Sequence, residues 1–268
     1  MSRIKKALQK LDWFLISQLG MDLRKLSSSI VRLGPYLADL RQFKSAFPGQ
    51  IVCTPCIHDK HAESGDIRNE YFWQDLEVAR MIHAAMPDSH VDIGSRVDGF
   101  VAHVAAFRNI EVVDIRENKT VVPGVTFVTL DFSNTDRVEE FIAAYPDGYC
   151  DSVSCLHALE HFGLGRYGDT LDPEGYQKGL KNLALVLSAG GTLYLSTPVG
   201  RERVEFNAHW VFSPGTIIDV AAKNGLVLSQ LYQFRNDSGA KKLAINEETI
   251  AGLSASDYSL CLFVFRKE

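Results

Sequence analysis

Apolar and polar residues alternate along this chain with two different periods. From residue 90 onward, short apolar runs recur and read as strands at 90–95, 111–116, 126–132, 149–156, 191–197, 228–235 and 259–266. Between them the apolar spacing lengthens to that of helices. Val138, Phe141, Ile142 and Tyr145 form one stripe; Tyr176, Leu180, Leu183, Ala184 and Leu187 form another, closed by Gly190-Gly191. A third helix is predicted from Ser213 as cap, with Pro214 in its first turn, to a stop at Gly225. Strand–helix alternation of this kind builds an α/β domain with a parallel, doubly wound sheet. No crossover helix is evident before the last strand.

The first 45 residues read differently. Ile4, Leu8, Leu11, Leu15 and Leu19 recur at helical spacing, with Arg3, Lys5, Lys6 and Lys10 interleaved. Ser27-Ser28-Ser29 and Gly34-Pro35 then punctuate the path to a second apolar set, Tyr36, Leu37, Leu40 and Phe43. We divide the chain into an N-terminal helical extension, 1–45, and a domain, 46–268. Packing on the core is the default reading of the extension. Oligomer formation, contact with a glycosyltransferase and peripheral contact with the inner membrane are the others, because a basic amphipathic helix permits all of them. Tyr71-Phe72-Trp73 opens a helix ahead of the first strand, either as a pocket cover or as plain core.

The most specific stretch is His90-Val91-Asp92-Ile93-Gly94-Ser95-Arg96-Val97-Asp98-Gly99-Phe100, an apolar strand running into a glycine-punctuated turn and then an amphipathic helix. The next strand ends on Asp114, 22 positions after Asp92. A glycine turn lets backbone N–H groups approach a ligand, and an acid about 20 residues on suits a ribose diol. A dinucleotide site wants a third glycine below a pyrophosphate, which Asp98 would repel. S-adenosylmethionine has no phosphate and carries a sulfonium and an ammonium, so Asp92 and Asp98 suit it better than NAD.

These motifs, with Thr129-Leu130-Asp131-Phe132 and Asp151 through Phe162, resemble the class I S-adenosylmethionine-dependent methyltransferases from about residue 88 to the C-terminus. The sequence departs from that superfamily at Arg96, where a small or glycine residue is usual. His157 through Asp169, with Glu205-Phe206-Asn207-Ala208-His209, is similar to a bacterial family of methyltransferase-like proteins of surface-polysaccharide pathways. The resemblance implies a Rossmann-like, seven-stranded doubly wound methyltransferase sheet with an antiparallel last strand. It also implies S-adenosyl-L-methionine as cofactor, and O-methylation of a sugar or sugar-linked group in bacterial O-antigen or capsule assembly. The acceptor is then a small molecule, nucleotide sugar or glycan. N-, C- or phosphate-oxygen methylation of another small molecule, an inactive cofactor-binding partner in a glycan-assembly complex, and an NAD-dependent oxidoreductase are the alternatives.

Composition narrows the class further. With 28 basic against 33 acidic residues the net charge is −5, and no basic stripe points to nucleic acid. The chain lacks a run of about 18 apolar residues and the pattern of a signal peptide, so a cytoplasmic protein is expected. Five cysteines, an odd number, read as reduced. Cys53, Cys56, His58 and His61 sit too close together for the usual paired zinc spacing, so structural roles are preferred to a metal.

Ligands of doubly wound sheets bind at the carboxyl ends of the strands. That rule assembles the expected cofactor site from Asp92, Gly94, Ser95, Arg96, Asp114, Ile115, Asp131, Phe132 and His157. Asp114 takes the ribose hydroxyls and Asp131 the adenine amino group, unless Asp131 merely caps the turn into Ser133-Asn134. Deprotonating a hydroxyl acceptor calls for a base near neutral pKa, so His157, His161 and His209 are the catalytic candidates, with Glu160 available to orient one of them. Arg166, Tyr167, Asp169 and Asn207 are expected on the acceptor side; the other reading of Arg166 and Asp169 is a surface ion pair.

Overall fold

The computed structural model describes residues 3–65, 67–236 and 238–268. The chain divides into two units, Met1–Asp66 and Ile67–Glu268. In the first, helices α1 (Arg3–Leu19) and α2 (Leu23–Ala46) are joined through Gly20 at φ +66°, and Asp22 caps α2 by accepting from the Lys25 N–H at 2.9 Å. The break expected at Ser27–Ser29 and Gly34-Pro35 does not occur. The three serine hydroxyls bond back to the carbonyls of Arg24 and Lys25, and Pro35 is accommodated inside one helix. Residues beyond α2 run back along it: His58 hydrogen-bonds the Ser29 hydroxyl at 2.8 Å and Lys60 pairs with Asp39 at 2.8 Å. Cys53 and Cys56 are exposed thiols.

The second unit begins with α3 (Glu70–Ala85), capped by Asn69. It continues through β1 (Val91–Ile93), a π-helical turn at Val97–Val101, the single turn α4 (Ala102–Ala105), β2 (Ile110–Asp114) and β3 (Val125–Thr129). Then come α5 (Thr135–Ile142), β4 (Cys150–Leu156), a 3-10 turn at Leu159–His161, α6 (Gly175–Val186) and β5 (Leu187–Val199). A hairpin of β6 (Arg203–Glu205) and β7 (His209–Val211) precedes α7 (Pro214–Lys223), β8 (Leu226–Arg235), β9 (Gly239–Leu243), α8 (Glu247–Ala255) and β10 (Ser259–Lys267).

The main sheet has the order β3-β2-β1-β4-β5-β10-β8-β9. Strands β3 to β5 are parallel; β10 is antiparallel to both β5 and β8, as an antiparallel last strand requires. This is a Rossmann-like doubly wound sheet. All seven expected strands are present, and β9 adds an eighth at the edge. The side-chain period of two splits the core between the faces. Along β10, Cys261, Phe263 and Phe265 pack with α5, α6 and α7 on one face, while Leu260, Leu262 and Val264 pack with α3 and α4 on the other. The strand order reverses between β1 and β4, and doubly wound sheets bind ligands at the carboxyl ends beside such a switch point.

Candidate functional site

The glycine turn leaves β1 at Gly94, whose φ of +74° suits glycine, and whose added Cβ would meet the Ala158 Cβ at 3.0 Å. Arg96 has an ordinary extended backbone (φ −71°), so no glycine is needed there. Its guanidinium points outward and forks onto Asp98 at 3.0 and 2.7 Å. Arg96 therefore leaves the turn open, and it offsets the Asp98 charge. Beyond the turn the expected amphipathic helix is replaced by the π turn and the four-residue α4, with Gly99 in a non-helical conformation. The helix N-terminus on which a pyrophosphate rests is thus absent from this turn.

What fills the space is an acid that sequence patterning missed. Asp75 of α3 is buried against Gly99, where an added Cβ would lie 2.5 Å from its Oδ2. Gln74 donates to Asp75 at 2.9 Å and accepts from the Ser196 hydroxyl. Burial pushes the Asp75 carboxyl upward, against the pull of Gln74, His103 and His157. Its signal was faint: a single aspartate on the buried stripe of a helix. Asp92 is fully buried behind the turn and accepts from the Ser95 N–H (3.0 Å), the Ser95 hydroxyl (2.7 Å) and the Ser154 hydroxyl (2.5 Å). Burial raises it to about 7. Asp92 shapes the turn from beneath, and Ser95 is its contact with it.

Asp114 ends β2 with both oxygens held by Arg116, at 2.9 and 2.7 Å. The Arg116 guanidinium in turn lies 4.5 Å over the Tyr167 ring. Ile115 follows, half-buried. Asp131 accepts at Oδ1 from the Ser133 N–H (2.9 Å) and hydroxyl (2.6 Å), while the helix cap itself is Asn134. The Phe132 ring belongs to the core, and its carbonyl accepts from Asn182 at 3.0 Å.

After β4 the chain turns through His157, a non-glycine residue at φ +53°. Its Nδ1 donates to Glu160 Oε1 at 2.8 Å, and its ring stacks on Tyr71 with centroids 4.2 Å apart. His157 Nε2 and Glu160 Oε2 are both buried without a hydrogen-bond partner. Burial raises the Glu160 carboxyl, but His157 and His161 outweigh that and hold it below the usual range. His161 donates from Nδ1 to the Ala208 carbonyl at 2.7 Å, which turns its Nε2 toward Glu160, 4.0 Å away. Desolvation lowers both His161 and His209, with Glu160 opposing it in each case.

The β6–β7 hairpin supplies that carbonyl, and Arg166 reaches it too, at 2.8 Å. Arg166 is therefore tied to the hairpin and not to Asp169. Asp169 instead holds its own loop, accepting from the N–H groups of Gly163 (2.9 Å), Gly165 (3.1 Å) and Tyr167 (3.2 Å). Tyr167 lies under both Arg116 and Arg166 and meets His161 edge-on at 5.4 Å. Asn207 is exposed in the hairpin turn. Tyr258, whose hydroxyl donates to Glu70 at 2.5 Å, adds a second unforeseen polar group. Of the aromatic trio, Tyr71 faces His157, whereas Trp73 packs on Gly239 and the core.

Residues 109–234, from the edge of β2 into β8, match a family described as "Caenorhabditis protein of unknown function, DUF268". No curated protein matches the chain. Solved structures with a similar course include the 1,6-didemethyltoxoflavin-N1-methyltransferase of Burkholderia thailandensis with S-adenosylhomocysteine (14% identity, 72% of this chain and 78% of that one, TM-score 0.48). The N-methyltransferase NodS of Bradyrhizobium japonicum, also with S-adenosylhomocysteine, is 13% identical over 76% of this chain and 89% of its own (TM-score 0.48). A methyltransferase of Thermotoga maritima that depends on S-adenosylmethionine is 17% identical over 74% and 92% (TM-score 0.48). At these scores the likenesses add nothing to what the strand order itself establishes.

Proposed function

We propose that this chain is an S-adenosylmethionine-dependent methyltransferase whose acceptor is a hydroxyl of a sugar or sugar-linked group. The carrying observation is the charge of the site's floor. Asp75, Asp92 and Glu160 are 8%, 0% and 1% exposed, and among the described residues no lysine or arginine is buried beside them. Glu160 is held down by His157 and His161, but burial raises Asp75 and Asp92, whose charged forms have no cation of the chain to match them. A ligand with an ammonium and a sulfonium would supply one, whereas the phosphates of a dinucleotide would add to the repulsion. The orphaned His157 Nε2 and Glu160 Oε2 mark a place where a polar ligand group fits.

Bound there, the cofactor supplies a methyl group on a positively charged sulfur. The chain's own residues do the rest. Asp114 accepts the ribose hydroxyls once Arg116 yields, and Asp131 Oδ2, not engaged by Ser133, accepts from the adenine amino group. Glu160 holds the Nδ1–H of His157, which leaves Nε2 as the base for an acceptor hydroxyl. Tyr71 covers that imidazole and keeps water from it. Arg166, Tyr167 and Tyr258 offer an acceptor the polar and aromatic faces that sugars favour. The surface-glycan setting follows from the resemblance of the 157–169 segment.

Calorimetric titration with S-adenosylhomocysteine, with NAD in parallel, tests the reading. Micromolar binding, about −8 kcal/mol, abolished by Asp114→Ala is expected. Binding of NAD in place of S-adenosylhomocysteine would overturn it. Labelled methyl transfer to nucleotide sugars or lipid-linked glycans then identifies the acceptor.

A further inference from the structure

The charge of the chain is unevenly placed. Residues 1–50 hold nine lysines and arginines against three aspartates, a net +6, so the remainder carries −11. The basic segment is also the most apolar surface. Not one residue of α2 is buried, and Leu23, Leu26, Ile30, Leu33, Leu37 and Phe43 are each between 41% and 70% exposed. At 3.6 residues per turn these six fall within roughly 160° of the helix circumference. Lys25, Arg41 and Lys44 lie within or at the edge of the same arc and are exposed. On α1, Leu8, Leu11 and Leu19 are exposed along one stripe with Lys10 on the opposite side, and Trp13 is 56% exposed.

We infer that α1 and α2 form a docking surface for an anionic lipid bilayer, lying in its interface and not crossing it. No helix among the described residues is long and apolar enough to span. An apolar arc bordered by lysine and arginine is the form of a helix that buries one face among acyl chains while its cations meet lipid phosphates. Charge decides between this occupant and a second copy of the chain: pairing two such segments would bring +6 against +6, whereas each basic residue near an anionic leaflet is attracted. The inference is independent of the methyltransferase reading.

The test is co-sedimentation of the full chain with phosphatidylcholine vesicles, with and without phosphatidylglycerol. Binding is expected only with the anionic lipid. Lys25→Glu with Lys44→Glu should weaken binding by about tenfold or more, as should Ile30→Asp. All three positions are exposed in the structure, so the variants keep their fold, checked by circular dichroism. Equal binding to neutral vesicles, or none to either, overturns the inference. So does a dimer in light scattering that Ile30→Asp dissolves, which would assign the face to a second copy.

Discussion

His90, Ser152, Ser154, Asp92 and Ser95 form one hydrogen-bond chain beneath the glycine turn. Because the Ser154 hydroxyl donates to Asp92, the His90 Nε2 that meets Ser154 at 3.1 Å must donate, and Nδ1 accepts from Ser152 at 2.8 Å. Burial lowers His90 to about 3 and raises Asp92 to about 7. These shifts oppose each other in the stability profile. Between pH 4 and 6.5 the unfolded chain binds a proton at His90 that the folded chain does not, so stability rises with pH; at Asp92 the folded chain holds the extra proton, so stability falls. Asp92→Asn removes the falling contribution. The slope of unfolding free energy against pH should then increase by about 1.4 kcal/mol per unit in that window, as read by denaturant titration; an unchanged slope would refute the assignment. His157 offers a second prediction. At φ +53° asparagine is tolerated and valine is not. His157→Asn should fold like the parent yet lose about 10²–10⁴ of methyl-transfer rate, while His157→Val should cost an additional 1–2 kcal/mol or so of stability. His90 opens the stretch read as the first strand and His157 follows the fourth; the burial of His90 depended on serines more than 60 residues away and the cover over His157 on Tyr71, equally remote in sequence.

The loop Gly163–Asp169 shows the same division at the level of an element. An alanine at Gly163 would put Cβ 1.9 Å from the Asp172 carbonyl at φ +81°, whereas Gly168, at φ +90°, has nothing within 4 Å. Gly163→Ala should therefore destabilise by about 2 kcal/mol or more and loosen Arg166 and Tyr167, against about 1 kcal/mol at Gly168. Thermal unfolding of the two variants side by side checks this. Three glycines in seven residues announced a bending loop, but Asp169 as its staple was visible only once its carboxylate was seen among the loop's own N–H groups. The strands expected from apolar runs were legible, all seven of them, as was the stripe Tyr176–Leu187. The β6–β7 hairpin was not, since Arg203–Glu205 and His209–Val211 mix charged and apolar residues with only Val211 buried; nor was α8, whose Asn246-Glu247-Glu248 start precedes a short and mostly exposed helix. Ser213 sits where a cap belongs, yet its hydroxyl meets Ser254 on α8 at 3.1 Å. A tertiary partner outcompeted the local one.

For the molecule as a whole, cofactor binding and folding are linked. Saturation at a hundred times the dissociation constant adds about 2.7 kcal/mol to the folded state. In the larger unit, of some 200 residues, that should raise Tm by roughly 5–10 °C. S-adenosylhomocysteine should produce this shift in differential scanning fluorimetry and NAD should not; a shift with NAD alone would contradict the charge argument built on Asp75, Asp92 and Glu160. The order of strands and helices, the two-faced core and the acids at the strand ends were written in local periodicity, because burying one face of each element constrains which residues stand two or three to four positions apart. Local patterning carries no information on distances between elements. Only packing brought Asp75 of α3 under Gly99, laid Tyr71 on His157 and carried the Ala208 carbonyl to His161. Those contacts join residues far apart along the chain, and they turn a set of strand-end acids and histidines into a site with one orientation for each.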